Sequence, residues 1–588
     1  MIVAMKKVSI ICQDKDAQET VGRLRSLGVV HVEHQQQPKG PDIAALQEDI
    51  SLAEAALGVL SRCGTSHAET VRAFLPRVDW KVSSRHIVDL DKRLDQLHEY
   101  SRILKAKIFE WEQWGDFDPE KIDALARREI FIRFYQIPEK EIEALPAGLI
   151  VKTVSTRGGI VNCAVISRAK NELSYKQVLP PKASLTAMRH KLEQDSVLEA
   201  ELVRGLAEYS VQRGIIQEQK IILDKEMVSL QAFRGMGQHG ILAYISGYAP
   251  FDSMDMLEMA ARDHQWALSV VDPGIDDNVP TLLRNPRWVD LIKPVFGLLG
   301  ITPGYRELDV SILFLIFFSI FFGILIGDAG YGIVYILITA WMHFRMKNNP
   351  AMKNVFPLLY LLSSCAIVWG GMTGTFFGQT WLQNKGFTIL VPELNDVKFM
   401  QTVCFFLGAL HLSIAHSWRA ILKMPSVSAL ADIGWICVLW TAFFLARTLI
   451  LSDPFPSWGI GLVSAGVGLV ILFTDPQRNM FKAIGKGLAS VALSLMNNFS
   501  DVVSYVRLFA VGLATVAIAD TTNSMAAGLG NGVLAVAAGA VIVVIGHSLN
   551  IVLGPMSVLV HGVRLNLLEF SGHANVAWGG FAYEPLHE

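Results

Sequence analysis

Two things are scarce in this chain of 588 residues. Charge is one: Asp, Glu, Lys and Arg make up 18% of it, against 51% hydrophobic residues. That is too apolar for an ordinary soluble enzyme. Paired cysteine is the other. The six cysteines (Cys12, Cys63, Cys163, Cys365, Cys404, Cys437) form no CxxC pair and no metal-ligand spacing, so a reduced compartment and no metal are expected. A net charge of -2 leaves no bulk electrostatic footprint for nucleic acid. No GxxxxGK loop, HExxH, GxSxG or Gly-rich dinucleotide fingerprint occurs, so nucleotide hydrolysis by this chain, a catalytic residue and a cofactor are not expected. The N-terminus, MIVAMKKVSIICQDKD, has no long apolar core of the signal-peptide kind.

The composition is divided. Residues 1 to about 305 are rich in charge, and from Leu308 onward long apolar runs alternate with short polar loops. This reads as a soluble half followed by a membrane half. In the soluble half, residues 6–34 read as strand, helix, strand: Val8, Ile10 and Cys12 alternate, Ala17, Val21, Leu24 and Leu27 keep helical spacing, and Gly28 stops the helix. His31, Glu33 and His34 fit no metal-ligand pattern and read as a strand end. Helices are expected over 42–61, 84–112 and 184–233. Strands are expected near 130–135, 149–153, 161–167 and 241–250. Ile87, Leu90, Leu94, Leu97, Tyr100, Leu104 and Ile108 repeat at spacings of three and four, as a coiled-coil seam does. Two helical arms around an α/β lobe predict a long antiparallel hairpin.

Eight apolar segments follow: 309–326, 329–345, 355–377, 399–422, 430–449, 457–474, 484–521 and 532–569. The last two exceed the ~20 residues a bilayer needs, so they tilt or project. Basic residues gather in alternate loops: Arg345, Lys347 and Lys353; Arg419 and Lys423; Arg478, Lys482 and Lys486. The other loops are poorer, with Lys385, Lys398 and Arg447. The positive-inside rule then places both termini of a multi-pass cell-membrane protein in the cytoplasm.

Between Leu488 and Ile518 the only charges are Asp501 and Arg507. A charge at mid-membrane depth costs at least ~2.5–3.5 kcal/mol on insertion scales, and a function or a partner must offset it. Helical spacing puts Asn497, Ser500 and Ser504 on the face of Arg507, with Asp501 at its margin and Ala510, Ala514 and Thr515 beyond. The last segment repeats the device: Arg564 shares a face with His561, Ser557 and Asn550, with His547 near its edge and Glu569 close by. Two intramembrane arginines heading polar stripes point to a hydrated ion path. The alternatives are a buried ion pair, or snorkelling, which needs a nearby helix end. In "FFGILIGDAGYG" (321–332), Gly327, Asp328, Gly330, Tyr331 and Gly332 form a turn in which Asp328 caps the next helix.

At these residues the sequence resembles subunit a, also called subunit I, of the V-type and archaeal-type rotary ATPases. "SYVRLFAVGLA" (504–514) and "HGVRLNLLEF" (561–570) are similar to the two arginine motifs of that family. "PTLLRNP" (280–286), "FFGILIGDAGYG", "WGGMTGTFFG" (369–378) and "FAYEPL" (581–586) are similar to others, so the resemblance spans the chain. It implies a non-catalytic stator subunit of an ion-translocating ATPase, with a cytoplasmic stator domain (1–305) and a transmembrane ion-translocation domain (306–588). The partners it implies are a proteolipid ring of c/K-type subunits, peripheral-stalk subunits of the E/G type, a central-stalk collar subunit, membrane lipid, and transported H⁺ or Na⁺. Arg507 matches the family's essential arginine and Arg564 its second. Asn497, Ser500, Ser504, His547, Asn550 and His561 are then candidate half-channel linings, with Asp501, Ser557 and Glu569 completing the set. Two departures stand out. Eukaryotic relatives carry a His eight residues past the first arginine and a Glu ten before the second; here these are Thr515 and Gly554. Two other classes compete. A secondary transporter explains the arginines but not the helical arms, and predicts an internal repeat that is not seen. A membrane-anchored scaffold or receptor explains the arms but not the polar stripes.

Overall fold

The computed structural model describes residues 1–62, 79–146, 149–168, 173–347, 349, 352–379, 391–475, 480–530 and 532–587; Cys63, Lys385 and Arg478 lie outside them. The chain packs as two compact units. One is Met1–Ile10, Val29–Val32 and Ser246–Pro585; the other is Ile11–Gly28, Glu33–Ile245 and Leu586–Glu588.

The opening alternation forms β1 (Met5–Gln13), α1 (Ala17–Leu27) and β2 (His31–Glu33). Gly28 ends α1 in the left-handed region, φ 65°, its N–H bonded to Leu24 O. Next come α2 (Pro41–Arg62), α3 (Trp80–Trp111), α4 (Pro119–Ala126), β3 (Phe131–Pro138), β4 (Ile150–Arg157), β5 (Ile160–Ser167) and β6 (Lys176–Val178). The four strands form a sheet in the order β4-β5-β3-β6. Then follow α5 (Leu185–Tyr209) and α6 (Arg213–Arg234). The single helix expected over 184–233 is therefore two. A 3₁₀ turn at Ser210–Gln212 separates them, next to the weak helix formers Ser210 and Gly214.

The helices pair antiparallel through their apolar faces. Leu104 and Trp111 of α3 meet Leu185 and Met188 at the start of α5, while Ile87 and Leu90 meet Leu206 near its end. Likewise Ile50 of α2 packs on Leu223 and Met227 of α6, and Val59 and Leu60 pack with Ile216. β7 (Gly237–His239), β8 (Leu242–Pro250), α7 (Met254–Asp263), β9 (Ala267–Val271) and α8 (Lys293–Leu299) complete this part. The second sheet runs β2-β8-β1-β9, with β7 beside β8.

The apolar segments become α9 (Ser311–Ile326), α10 (Ala329–Arg345), α11 (Val355–Thr373), α12 (Val397–Lys423), α13 (Ala429–Leu451), α14 (Gly459–Phe473), α15 (Met480–Ser504), α16 (Val506–Gly528) and α17 (Val533–Ser557). Two π-helical turns, Val558–Gly562 and Leu565–Phe570, continue α17 toward α18 (Ser571–Ala574). Among the described residues, five helical stretches are long and apolar enough to cross a membrane: α11, α12, α13, Val491–Gly528 and Val533–Ala574. α9 and α10 pass the same test only together, and they are bent by 118° at their junction; α14 is shorter.

Packing against lipid-like surroundings depends on contact rather than on expulsion of water. α9 supplies that contact with Phe314, Phe317, Phe318, Phe321 and Phe322, all buried in one large core with α11, α12, α16 and Val558, Val563 and Leu565 beyond α17. α16 reaches α9 closely because position 512 is glycine: a Cβ there would lie 2.6 Å from Ile324 O. The α9–α10 bend is made by Gly327, φ 67°, and by Asp328. Asp328 Oδ1 accepts the N–H groups of Gly330 (2.7 Å) and Tyr331 (3.2 Å), and Oδ2 accepts that of Gly378 (2.7 Å). Its side chain is the expected cap of α10.

Candidate functional site

Arg507 lies one residue into α16, just past the break at Tyr505 that separates α15 from α16. Its Nη2 donates to Glu569 Oε1 at 3.0 Å and to Ser504 Oγ. Ser504 Oγ in turn donates to the same carboxylate oxygen at 2.7 Å. Arg564 Nε approaches that oxygen at 3.7 Å. Exposure grades the three charges: the side chains are 5% exposed for Glu569, 26% for Arg507 and 53% for Arg564. The buried ion pair weighed as an alternative from sequence is thus present. It does not satisfy the arginine. Arg507 Nη1 and Glu569 Oε2 are buried and have no hydrogen-bond partner among the described residues.

Two polar clusters flank this centre along the α15–α16 helix. The first surrounds Asp501. Asp501 Oδ2 meets His573 Nε2 at 3.1 Å, His573 Nδ1 meets His416 Nε2 at 2.9 Å, and His416 Nδ1 meets Asp432 Oδ1 at 3.1 Å. Lys423 and Arg419 hold Asp432 at 2.6 and 3.6 Å. A cavity of about 390 Å³ opens here, lined by Asn497, Asn498, Asp501, His573 and Glu569 among others. It therefore connects this cluster to the carboxylate that holds Arg507.

The second cluster lies toward the other end of α16. His547 Nδ1 meets Tyr331 Oη at 2.6 Å, and its Nε2 meets Asn523 Oδ1 at 3.1 Å. Asn550 donates to Tyr331 Oη at 3.0 Å and to Thr515 O at 2.8 Å. Of the two departures from the eukaryotic pattern, Thr515 meets this cluster. Asn550 binds the backbone of Thr515. A Cβ at Gly554 would lie 2.9 Å from Tyr335 Oη and 2.8 Å from Ile326 Cδ1, so a side chain there requires those side-chain ends to shift.

The set expected from sequence is thus divided. Arg507, Ser504, Glu569 and Arg564 come together; Asp501 and Asn497 join the first cluster; His547 and Asn550 join the second. Ser500 is exposed, and Ser557 and His561 are half-buried; none of the three makes a side-chain hydrogen bond among the described residues. The single stripe Asn550–Ser557–His561–Arg564 assumed a period of 3.6, and the two π-helical turns break that period past Ser557. Sequence reading missed His416, His573, Asp432, Asn498 and Asn523, and read Tyr331 only as part of a turn. The one signal available for His416 was an ionisable residue within an apolar segment, which marks a site by default. The rest depend on contacts distant in sequence.

No protein-family profile matches the chain. Among curated proteins, V-type ATP synthase subunit I 1 of Treponema pallidum (strain Nichols) is 32% identical over 631 residues, covering 100% of both chains. The chain belongs to the subunit I family of V-type and A-type ATP synthases. V-type ATP synthase subunit I of Borreliella burgdorferi is 30% identical over 621 residues, covering 100% of this chain and 99% of its own length. A-type ATP synthase subunit I of Methanocaldococcus jannaschii is 24% identical over 414 residues, covering 60% of this chain and 57% of its own. Among solved structures, the cytoplasmic N-terminal domain of subunit I, homolog of subunit a, of V-ATPase aligns at 16% identity with a TM-score of 0.23, covering 45% of this chain and 100% of that one. A subunit I chain with this set of long apolar helices is a membrane subunit of a rotary ATPase.

Proposed function

We propose that this chain is the stator subunit that carries the ion path of its rotary ATPase, with Arg507 facing the carboxylates of a proteolipid ring. Residues 1–305 form the cytoplasmic stator domain, held by peripheral-stalk and collar subunits. Residues 306–588 form the transmembrane domain of eight spans, with both termini in the cytoplasm. Two aqueous half-channels end at Arg507. The path on the side of Arg419 and Lys423 runs through the Asp501 cavity, and the opposite one through His547 and Asn550.

The observation that carries this reading is the place of Arg507. It is a half-buried arginine, 26% exposed, with one buried nitrogen that has no partner among the described residues, set between two polar clusters along α15 and α16. From Asp501 to Asn523 that stretch rises about 33 Å at ~1.5 Å per residue, close to the ~30 Å of a hydrocarbon core. A fixed cation there favours the ionised form of a passing carboxylate. It also repels a cation that would leak from one path to the other. Arginine serves better than lysine because it stays charged in a low-dielectric site.

Burial supports a ring-facing surface on α16. Leu508, Gly512, Thr515 and Ala519 of α16 face the chain's own core. Ala510, Leu513, Ala514 and Ala517 are exposed beside Arg507. Small side chains allow a second helix to approach. Ala510→Cys and Ala514→Cys, combined with single cysteines placed next to the ring carboxylate, form disulfides with the ring subunit on mild oxidation. Leu508→Cys does not. Failure of both exposed positions to cross-link, in assembled complexes, contradicts the reading.

A further inference from the structure

A pocket of about 540 Å³ lies between residues 306–308, the last turn of α12 and residues 571–577. Three cations line it: Arg306, Arg419 and Lys423. Glu307 lines it as well, but its carboxylate is taken up by backbone. It accepts the N–H groups of Gly304 (2.7 Å), Ala577 (3.0 Å) and Trp578 (3.3 Å). Arg306 donates to two neutral acceptors, Ile275 O at 2.7 Å and Gly274 O. Asp277, the acid near Arg306, is paired with Lys7 at 2.8 Å. Arg419 and Lys423 share one carboxylate, that of Asp432, at 3.6 and 2.6 Å. Three positive charges are thus set against two negative ones, Asp432 and Glu307, and one positive charge is left over. Donors are left over too. Arg419 Nη2 makes no hydrogen bond among the described residues, and Lys423 Nζ donates only to Asp432.

The same turn of α12 carries an apolar stripe. Trp418, Ile421 and Leu422 share a face by their spacing and are 47%, 66% and 59% exposed. Leu422 also lines the pocket, so the stripe and the cations meet there. α12 is 27 residues long and apolar enough to cross a membrane. At ~1.5 Å per residue it rises about 40 Å, more than the ~30 Å of a hydrocarbon core. Its last turn therefore reaches headgroup depth, where Trp and basic side chains are favoured. We propose that this pocket holds one anionic phospholipid, its phosphodiester against Arg419, Lys423 and Arg306 and an acyl chain along Leu422 and Ile421. Guanidinium and ammonium groups bind phosphate oxygens through charge-assisted hydrogen bonds, and basic pockets between membrane helices suit such headgroups. A phosphatidylcholine carries the same phosphate with a cation beside it, which the excess positive charge disfavours. A free phosphate matches the charge but gains nothing from the apolar stripe. The site is independent of the role of Arg507.

The test uses assembled complexes in phosphatidylcholine nanodiscs that contain a trace of phosphatidylglycerol with a photoreactive acyl chain. After illumination, labelled peptides are mapped by mass spectrometry. Adducts are expected on residues 418–424 and 574–578. Unlabelled phosphatidylglycerol should displace them; added phosphatidylcholine with the same chains, or inorganic phosphate, should not. Leu422→Glu and Arg306→Gln each remove one unit of positive charge from the pocket and should lower the adduct yield about fivefold, the weight of one basic residue near an anionic headgroup. Leu422→Gln removes the same apolar side chain without adding charge and should lower it less. Arg419 and Lys423 stay unaltered because they hold Asp432. Adducts that phosphatidylcholine displaces equally well mark ordinary lipid contact and overturn the proposal. Displacement by inorganic phosphate assigns the pocket to a free anion and overturns it too, as does an unchanged yield in Leu422→Glu. If Arg306→Gln does not assemble, Leu422→Glu against Leu422→Gln decides.

Discussion

Glu569 is the residue on which the centre turns. It binds Arg507, accepts Ser504 and draws in Arg564 through one oxygen. On the function proposed above, a ring carboxylate arriving at Arg507 would meet a competitor already in place. Removing one partner of a buried ion pair costs on the order of 3–5 kcal/mol, and exchange between two carboxylates would avoid that cost at every step. Glu569→Gln keeps the shape and loses the charge, so Arg507 should hold the ring carboxylate longer. Assembled Glu569→Gln complexes should hydrolyse ATP and pump more slowly than wild type, measured as ATPase rate and ion uptake together; unchanged rates would show that Glu569 does not compete. Arg507 was legible in the sequence because a lone cation in an apolar run has few explanations. Its partner was legible only as a neighbour of Arg564, since position 569 is distant from 507 in sequence and joins it through the fold.

At the scale of elements, the bend between α9 and α10 depends on Asp328. That side chain is fully buried and receives three backbone N–H groups from two segments of the chain. Asp328→Ala leaves those donors without an acceptor, at about 1–3 kcal/mol each. The α10 start and the 375–378 turn should loosen together, seen as a lower unfolding temperature of the detergent-solubilised protein. Asp328→Asn, which keeps an acceptor oxygen, should recover part of the loss, and an Asp328→Ala protein as stable as wild type would contradict the capping account. The cap was legible because Asp before Ala-Gly-Tyr-Gly is a local signal. So were α2 and α3, whose apolar periods need no distant information. The polar stripe before Arg564 was legible only as far as α-helical geometry holds. The π-helical turns that divide it leave no mark in residue type. The link between His416 and His573 joins α12 to α18, and no periodicity reports a contact between separate helices.

At the scale of the whole molecule, the composition of the chain changes near residue 305, whereas packing divides it elsewhere. Residues 1–10 and 29–32 belong to the same compact unit as 246–585. Charge density records what a segment faces, and contacts record what it packs on, so the two boundaries need not coincide. Family membership places this chain in a rotary ATPase, and on the function proposed above ions reach the ring only through two half-channels that Arg507 keeps apart. The most direct measurement is ATP-driven ion uptake by reconstituted complexes carrying Arg507→Ala or Arg507→Lys, with subunit composition checked on the same preparations. Complete assembly and the loss of nearly all uptake are expected in both variants. Uptake near the wild-type rate in assembled Arg507→Ala complexes would make this arginine a structural counter-charge for Glu569 and contradict the account.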